Sequence, residues 1–119
     1  MIDRQGHLWF GGENGVYHYD GEQVRHLFKS TSFSVFEDSQ GNIWFSGGAL
    51  KGEQEPKPGI SILNRFDPAA GLDAIQTASQ QIAVESGMIF GLTEVKDGAI
   101  WFGTGRGIGR MEGDTVRFY

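Results

Sequence analysis

Asp38-Ser39-Gln40-Gly41-Asn42-Ile43-Trp44-Phe45 is written three times in this chain. Asp3-Arg4-Gln5-Gly6-His7-Leu8-Trp9-Phe10 precedes it, and a looser copy, Val95-Lys96-Asp97-Gly98-Ala99-Ile100-Trp101-Phe102, follows. Every tryptophan occupies the same place in one of the copies, so a repeat decides the architecture. Trp44 lies between Ile43 and Phe45, which makes both faces of a pleated strand apolar. A sheet with one wet face would alternate polar and apolar residues. A small sheet covered on both sides by similar sheets reads as this one does, and that is the blade of a β-propeller.

Working outward, each Trp-Phe is followed by a glycine-bearing turn and a second short strand: Gly15-Val16-Tyr17-His18-Tyr19, Gly59-Ile60-Ser61-Ile62-Leu63 and Gly107-Ile108-Gly109-Arg110-Met111. These end in the turns Asp20-Gly21, Asp67-Pro68 and Glu112-Gly113-Asp114. Apolar runs at 33–36 and 89–92 precede the second and third copies, and runs at 23–28 and 115–119 follow the first and third. The unit is a four-strand meander, A to D. Its Asp-x-x-Gly is expected to be the A–B hairpin turn, with the carboxylate accepting backbone N–H groups and the glycine taking a positive φ. In the third copy the aspartate has moved next to the glycine, as Asp97-Gly98.

The residues Asp38 to Phe45, Gly15 to Gly21 and Gly71-Leu72 after Asp67 resemble the two-component regulator propeller repeat, found in sensor domains of bacterial signalling proteins. The resemblance implies blades and a ligand-sensing context, and brings no shared catalytic residues. It gives an all-β expectation: one domain over 1–119, an arc of about three four-stranded blades at 1–31, 32–86 and 87–119. The first blade would lack strand A, because only Met1 and Ile2 precede Asp3. Asp97 to Phe102 with Ile108-Gly109-Arg110 is also similar to the virginiamycin B lyase propellers, which keeps a lyase or hydrolase as the alternative function.

Composition sets the outer bounds. Nineteen glycines and 13% aromatic residues in 119 suit short strands joined by tight turns. No cysteine is present, which removes disulfides and thiolate metal sites. The net charge of -5 argues against a nucleic-acid partner, and no apolar run is long enough to span a membrane as a helix. Taken as complete, the chain is expected to be soluble and cytoplasmic; as part of a sensor protein it would be periplasmic.

Function is expected where the copies disagree. From the tryptophan to the glycine opening strand C is six residues in copies one and three but fifteen in copy two, the excess falling around Ala49 to Pro58. A second extension falls within Ala69 to Ser86, where Leu72, Ile75, Ser79 and Ile82 follow helical spacing, so residues 72–85 read as a strand or as a short helix replacing or following strand D. Both extensions are expected at the end of the blades where B–C and D–A connections emerge. The ligand-binding candidates are the loop residues Glu13, Asn14, Lys51, Glu53, Lys57 and Arg106, for a small molecule or glycan.

No catalytic residue, cofactor or metal is expected. His7, His18 and His26 show no ligand spacing, His26 with Glu37 is a conceivable acid–base pair, and Gly103 to Gly109 runs into a strand where a phosphate loop would open a helix. Three blades do not close a ring, since propellers typically use about four to eight. A head-to-tail homodimer forming a six-bladed ring is therefore expected.

Overall fold

The computed structural model describes residues 1–119. Its eleven strands form three antiparallel sheets that lie side by side, an arrangement compatible with a partial propeller arc. Blade one holds β1 (Leu8–Gly12), β2 (Gly15–Tyr19) and β3 (Val24–Phe28). Blade two holds β4 (Val35–Glu37), β5 (Ile43–Ser46), β6 (Ser61–Phe66) and β7 (Gln80–Val84). Blade three holds β8 (Ile89–Glu94), β9 (Ile100–Thr104), β10 (Gly107–Glu112) and β11 (Thr115–Phe118). Strand order follows chain order in every sheet, the meander that the repeat predicts. At the strand A position of blade one, Ile2 makes a single bridge to Leu8, and the terminal amine donates to Trp9 O at 2.7 Å.

The repeat motif is a hairpin with a buried polar clasp. Asp38 Oδ1 accepts from the backbone N–H of Gln40 and Asn42, each at 2.9 Å, and Gly41 takes φ 86°. Oδ2 accepts from the indole Nε1 of Trp44 at 2.8 Å. Asp3 repeats this with Gln5, His7 and Trp9. A spacing of six residues from aspartate to tryptophan permits the indole bond. Asp97 stands four before Trp101, too near for the indole bond; it accepts from Ala99 N at 2.9 Å and pairs with Arg110 at 3.9 Å.

Trp9 and Trp44 face the next blade, and the residues flanking Trp44 and Trp101 face the previous one. Ile43 and Phe45 join Trp9, Val16, Leu27, Phe28, Phe66 and Ile75 in the core between blades one and two. Trp44 joins Leu63, Ile82, Val84, Ile89, Ile100 and Phe102 between blades two and three. β5 is therefore buried along its whole length, as its two-sided apolar sequence requires.

A second bond, hidden in the sequence, ties blade to blade. The carboxylate of Glu37, at the end of β4, accepts from Arg4 N in the preceding hairpin at 3.0 Å. Glu94, at the same place in blade three, accepts from Ser39 N at 2.8 Å and Ser39 Oγ at 2.7 Å. Ile2 occupies the corresponding place in blade one.

Three expectations need correcting. The residue paired with the tryptophan is nine positions on in blades one and three (His18, Arg110) but twenty-one on in blade two (Arg65). The B–C insertion is thus three residues longer than glycine counting implies, and Gly59 lies inside it, three positions before the register equivalent of Gly15. The second extension is a C–D connection, not a D–A one, so it leaves from the opposite end of the blade. It forms short turns of 3-10 helix at Pro68–Ala70 and Leu72–Ala74, then α1 (Ile75–Ala78), and strand D follows as β7. The helix neither replaces nor follows that strand. It precedes it, because buried Ile75 fills the outer gap between blades one and two.

Candidate functional site

The B–C turns place all six loop candidates at one end of the blades, yet they do not converge. Glu13 and Asn14 use their carbonyls, which accept from Thr31 Oγ1 at 2.7 Å and His26 Nε2 at 2.6 Å. Arg106 lies 4.2 Å over the Phe118 ring, with Glu85 at 3.5 Å. In the long loop, Lys57 pairs with Glu53 at 3.1 Å. The loop is anchored by Gln81 of strand D: its Oε1 accepts from Lys51 N at 2.9 Å and its Nε2 donates to Ala49 O at 2.8 Å. Lys51 and Glu53 line a shallow cavity of about 210 Å³ with Asn64, Gln76 and Gln81.

A larger hollow, about 560 Å³, lies at the same end and contains none of the six candidates. Its walls are the connections into β4 and β8, including Phe33 and Met88, and the long B–C loop with Pro56 and Ile60. Phe33 and Met88 are 62% and 55% exposed. Ser30, Thr31, Ser46 and Ser61 supply polar groups around the apolar lining. Phe33 heads the apolar run 33–36 that the sequence offers as strand A, and there it passes for a strand residue. Its exposure comes from β4 starting only at Val35.

At the other end, blade one departs from the repeat. His7 stands where blade two has Asn42, and His18 where it has Arg65. The β1–β2 pairing brings His7 Nδ1 to 3.1 Å from His18 Nε2, so these two histidines do form a pair, contrary to their sequence spacing. Cross-strand register, which the sequence does not print, creates the contact. Burial holds the His18 imidazole below its ordinary value, and the neighbouring His7 adds to this. Burial would raise the Asp3 carboxyl, but the bonds from Trp9, His7 and Gln5 outweigh it and hold the group low. Backbone N–H groups of Gln23 and Glu22 likewise hold Asp20 low.

His26 and Glu37 do not form an acid–base pair. The His26 ring stacks on Tyr17, 4.3 Å between centroids, on the face of blade one turned away from blade two. Glu37 belongs to the clamp on Arg4. The residue opposite each tryptophan instead forms a recurring contact: His18 edge-on to Trp9 at 4.7 Å, Arg65 over Trp44 at 5.5 Å and Arg110 over Trp101 at 5.7 Å. This is packing chemistry. Gly103 to Gly109 forms the β9–β10 hairpin.

The two ends of the arc expose blade faces. On blade one Phe10 stacks on Tyr17 at 5.8 Å, and Leu8 and Val24 are also exposed. On blade three the face holds half-buried Trp101 with exposed Phe90, Ile108 and Tyr119. No helix is long and apolar enough to cross a membrane.

Residues 26–49 match the family model described as two component regulator propeller. The match covers the end of β3, all of β4 and β5, and the Asp38 to Phe45 hairpin, so it falls on the first two strands of blade two. No curated protein matches the chain.

Proposed function

We propose that this chain is a non-catalytic binding module in which propeller blades hold a recognition site for a small molecule or glycan. The supporting observation is the hollow of about 560 Å³ between Phe33, Ile60 and Met88. Its volume lies within the range of about 300–1,000 Å³ usual for ligand sites, and apolar walls with a few hydroxyls suit the apolar face of a sugar ring or a comparable small molecule. The test is a thermal-shift screen with saccharides and small organic acids. A ligand-induced rise in Tm should vanish in Met88→Glu and Ile60→Glu, and a shift that survives both rejects the hollow. The lyase alternative gains nothing from His26 and Glu37, which have separate structural partners.

The same reading gives the module a second copy of itself as partner. Blade three presents the Trp101 side, which on blades one and two is covered by the isoleucine and phenylalanine that flank the next blade's tryptophan. Blade one presents Leu8 and Phe10, the positions that in blade two, as Ile43 and Phe45, cover Trp9. The two free faces repeat the chemistry of the two sides of an internal joint, so a head-to-tail contact buries both. Two such contacts give a six-bladed ring. Light scattering should return twice the chain mass at micromolar concentration; a soluble monomer there rejects the ring.

A further inference from the structure

We propose that Asp3, His7 and His18 form a binding site for a borderline divalent cation, with zinc as the best-matched ion. The inference is independent of the ligand hollow and of the dimer. Side-chain ligand atoms of the three residues lie within 4.8 Å of one another. The two imidazole nitrogens face each other at 3.1 Å. Two nitrogens on one tetrahedral zinc, each at about 2.0–2.1 Å from it, are separated by roughly 3.3 Å. The rings already stand at that separation to within a few tenths of an ångström; the ion would replace the hydrogen bond between them and draw in the Asp3 carboxylate, which lies within 4.8 Å.

Comparison of the blades isolates what is special here. The clasp of aspartate, turn and tryptophan is common to blades one and two. What differs is the pair of positions around it: Asn42 and Arg65 in blade two, Ala99 and Arg110 in blade three, His7 and His18 in blade one. Arg and Ala do not ligate a metal, and Asn42 directs its amide N–H at Asp38 at 3.3 Å, so the two histidines add a pair of imidazole donors that neither other hairpin has. Two imidazoles and a carboxylate are borderline donors that suit zinc better than magnesium or calcium, which favour all-oxygen shells.

The surroundings complete the site. The Trp9 indole donates to Asp3 Oδ2, and the backbone N–H groups of Gln5 and His7 donate to Oδ1. These bonds orient the carboxylate as outer partners commonly orient metal ligands. Asp3 and His18 border a cavity of about 280 Å³ that also touches Glu37 and Asp67. It gives an entry path and room for water in the fourth position of a three-ligand site.

The experiment is calorimetric titration of the full chain with zinc chloride, with magnesium chloride as control and Co²⁺ absorption as a second readout of nitrogen ligation. One zinc per chain is expected, with no magnesium heat. His7→Asn and His18→Arg, which install the blade-two residues, should each weaken zinc binding by about tenfold or more. His26→Asn, on the opposite face of the sheet, should leave it unchanged. His7 is only half-buried, so His7→Asn decides the matter if His18→Arg fails to fold. No zinc uptake by the native chain at concentrations of about a millimolar overturns the site. So does uptake that survives in folded His7→Asn.

Discussion

Trp44 Nε1 donates to Asp38 Oδ2 at 2.8 Å, and both residues are buried. The same aspartate holds the turn, so one carboxylate fixes the hairpin and orients the largest side chain between two blades. Asp38→Ala would leave the indole N–H and two turn N–H groups without their acceptor. Leaving a buried donor unsatisfied costs roughly 1–3 kcal/mol, so a total near 2–3 kcal/mol is expected in urea denaturation. Asp97→Ala, which loses one exposed turn bond and a loose, solvent-screened ion pair to Arg110, should cost less, about 1 kcal/mol at most. Equal losses for the two would mean that the indole bond contributes nothing.

The end faces are tested by mixing. Phe10→Asp and Trp101→Glu each place a charge on one free face, and in a head-to-tail pair each spoils both joints. Alone, each variant should run as a monomer in light scattering. Mixed, they share one undamaged joint and should form a weaker heterodimer. A self-complementary contact through one face alone would leave one of the two variants fully dimeric, which would exclude the ring.

A looser wall is expected when Gln81 is removed. Gln81→Ala frees the loop at Ala49 and Lys51, which forms one side of the hollow. Trypsin should cut after Lys51 several-fold faster while global stability falls by only about 1 kcal/mol. Unchanged cleavage would show that Lys57 and Glu53 suffice to hold the loop.

Stability should also fall in mild acid. The folded chain holds His18 below its ordinary value of 6.5, so the unfolded chain takes up the proton first as the pH drops. The contribution is full above about pH 6.5 and is lost as the pH falls from there toward the depressed folded value. With a chelator present, the urea midpoint should be lower at about pH 5.5 than at about pH 7.5. His18→Gln should flatten that difference, and an unchanged slope would assign it to other groups.

The architecture was legible because Trp9, Trp44 and Trp101 recur with their apolar neighbours, and two-sided burial leaves a strong trace in sequence. The turn role of Asp38 was legible too. Its bond to Trp44 was written in the six-residue spacing that the third copy breaks, a signal visible only once the spacing is compared with the indole's reach. Register was not legible. Gly59 looks like the opener of strand C but sits in a loop, since a glycine in a long insertion carries the same local signal as one in a tight turn. The C–D placement of α1 depended on Ile75 finding the gap beside blade one, a tertiary fact. His7 and His18, eleven residues apart in the chain, meet only through strand pairing. Phe33 and Met88 escaped notice because an apolar residue next to a strand is normally read as part of it.

The clamps of Glu37 on Arg4 and of Glu94 on Ser39 set a mechanical hierarchy. Both internal joints carry a carboxylate latch, whereas Ile2 at the matching place of blade one offers none. A force that pulls on the arc therefore meets a carboxylate latch at each internal joint, whereas the free face of blade one has no such carboxylate to offer. In amide hydrogen exchange the order would run from the outer strands of blades one and three inward to β5, whose four residues are all buried. The middle blade is the keystone, latched on both sides, and each end blade is latched on one side only.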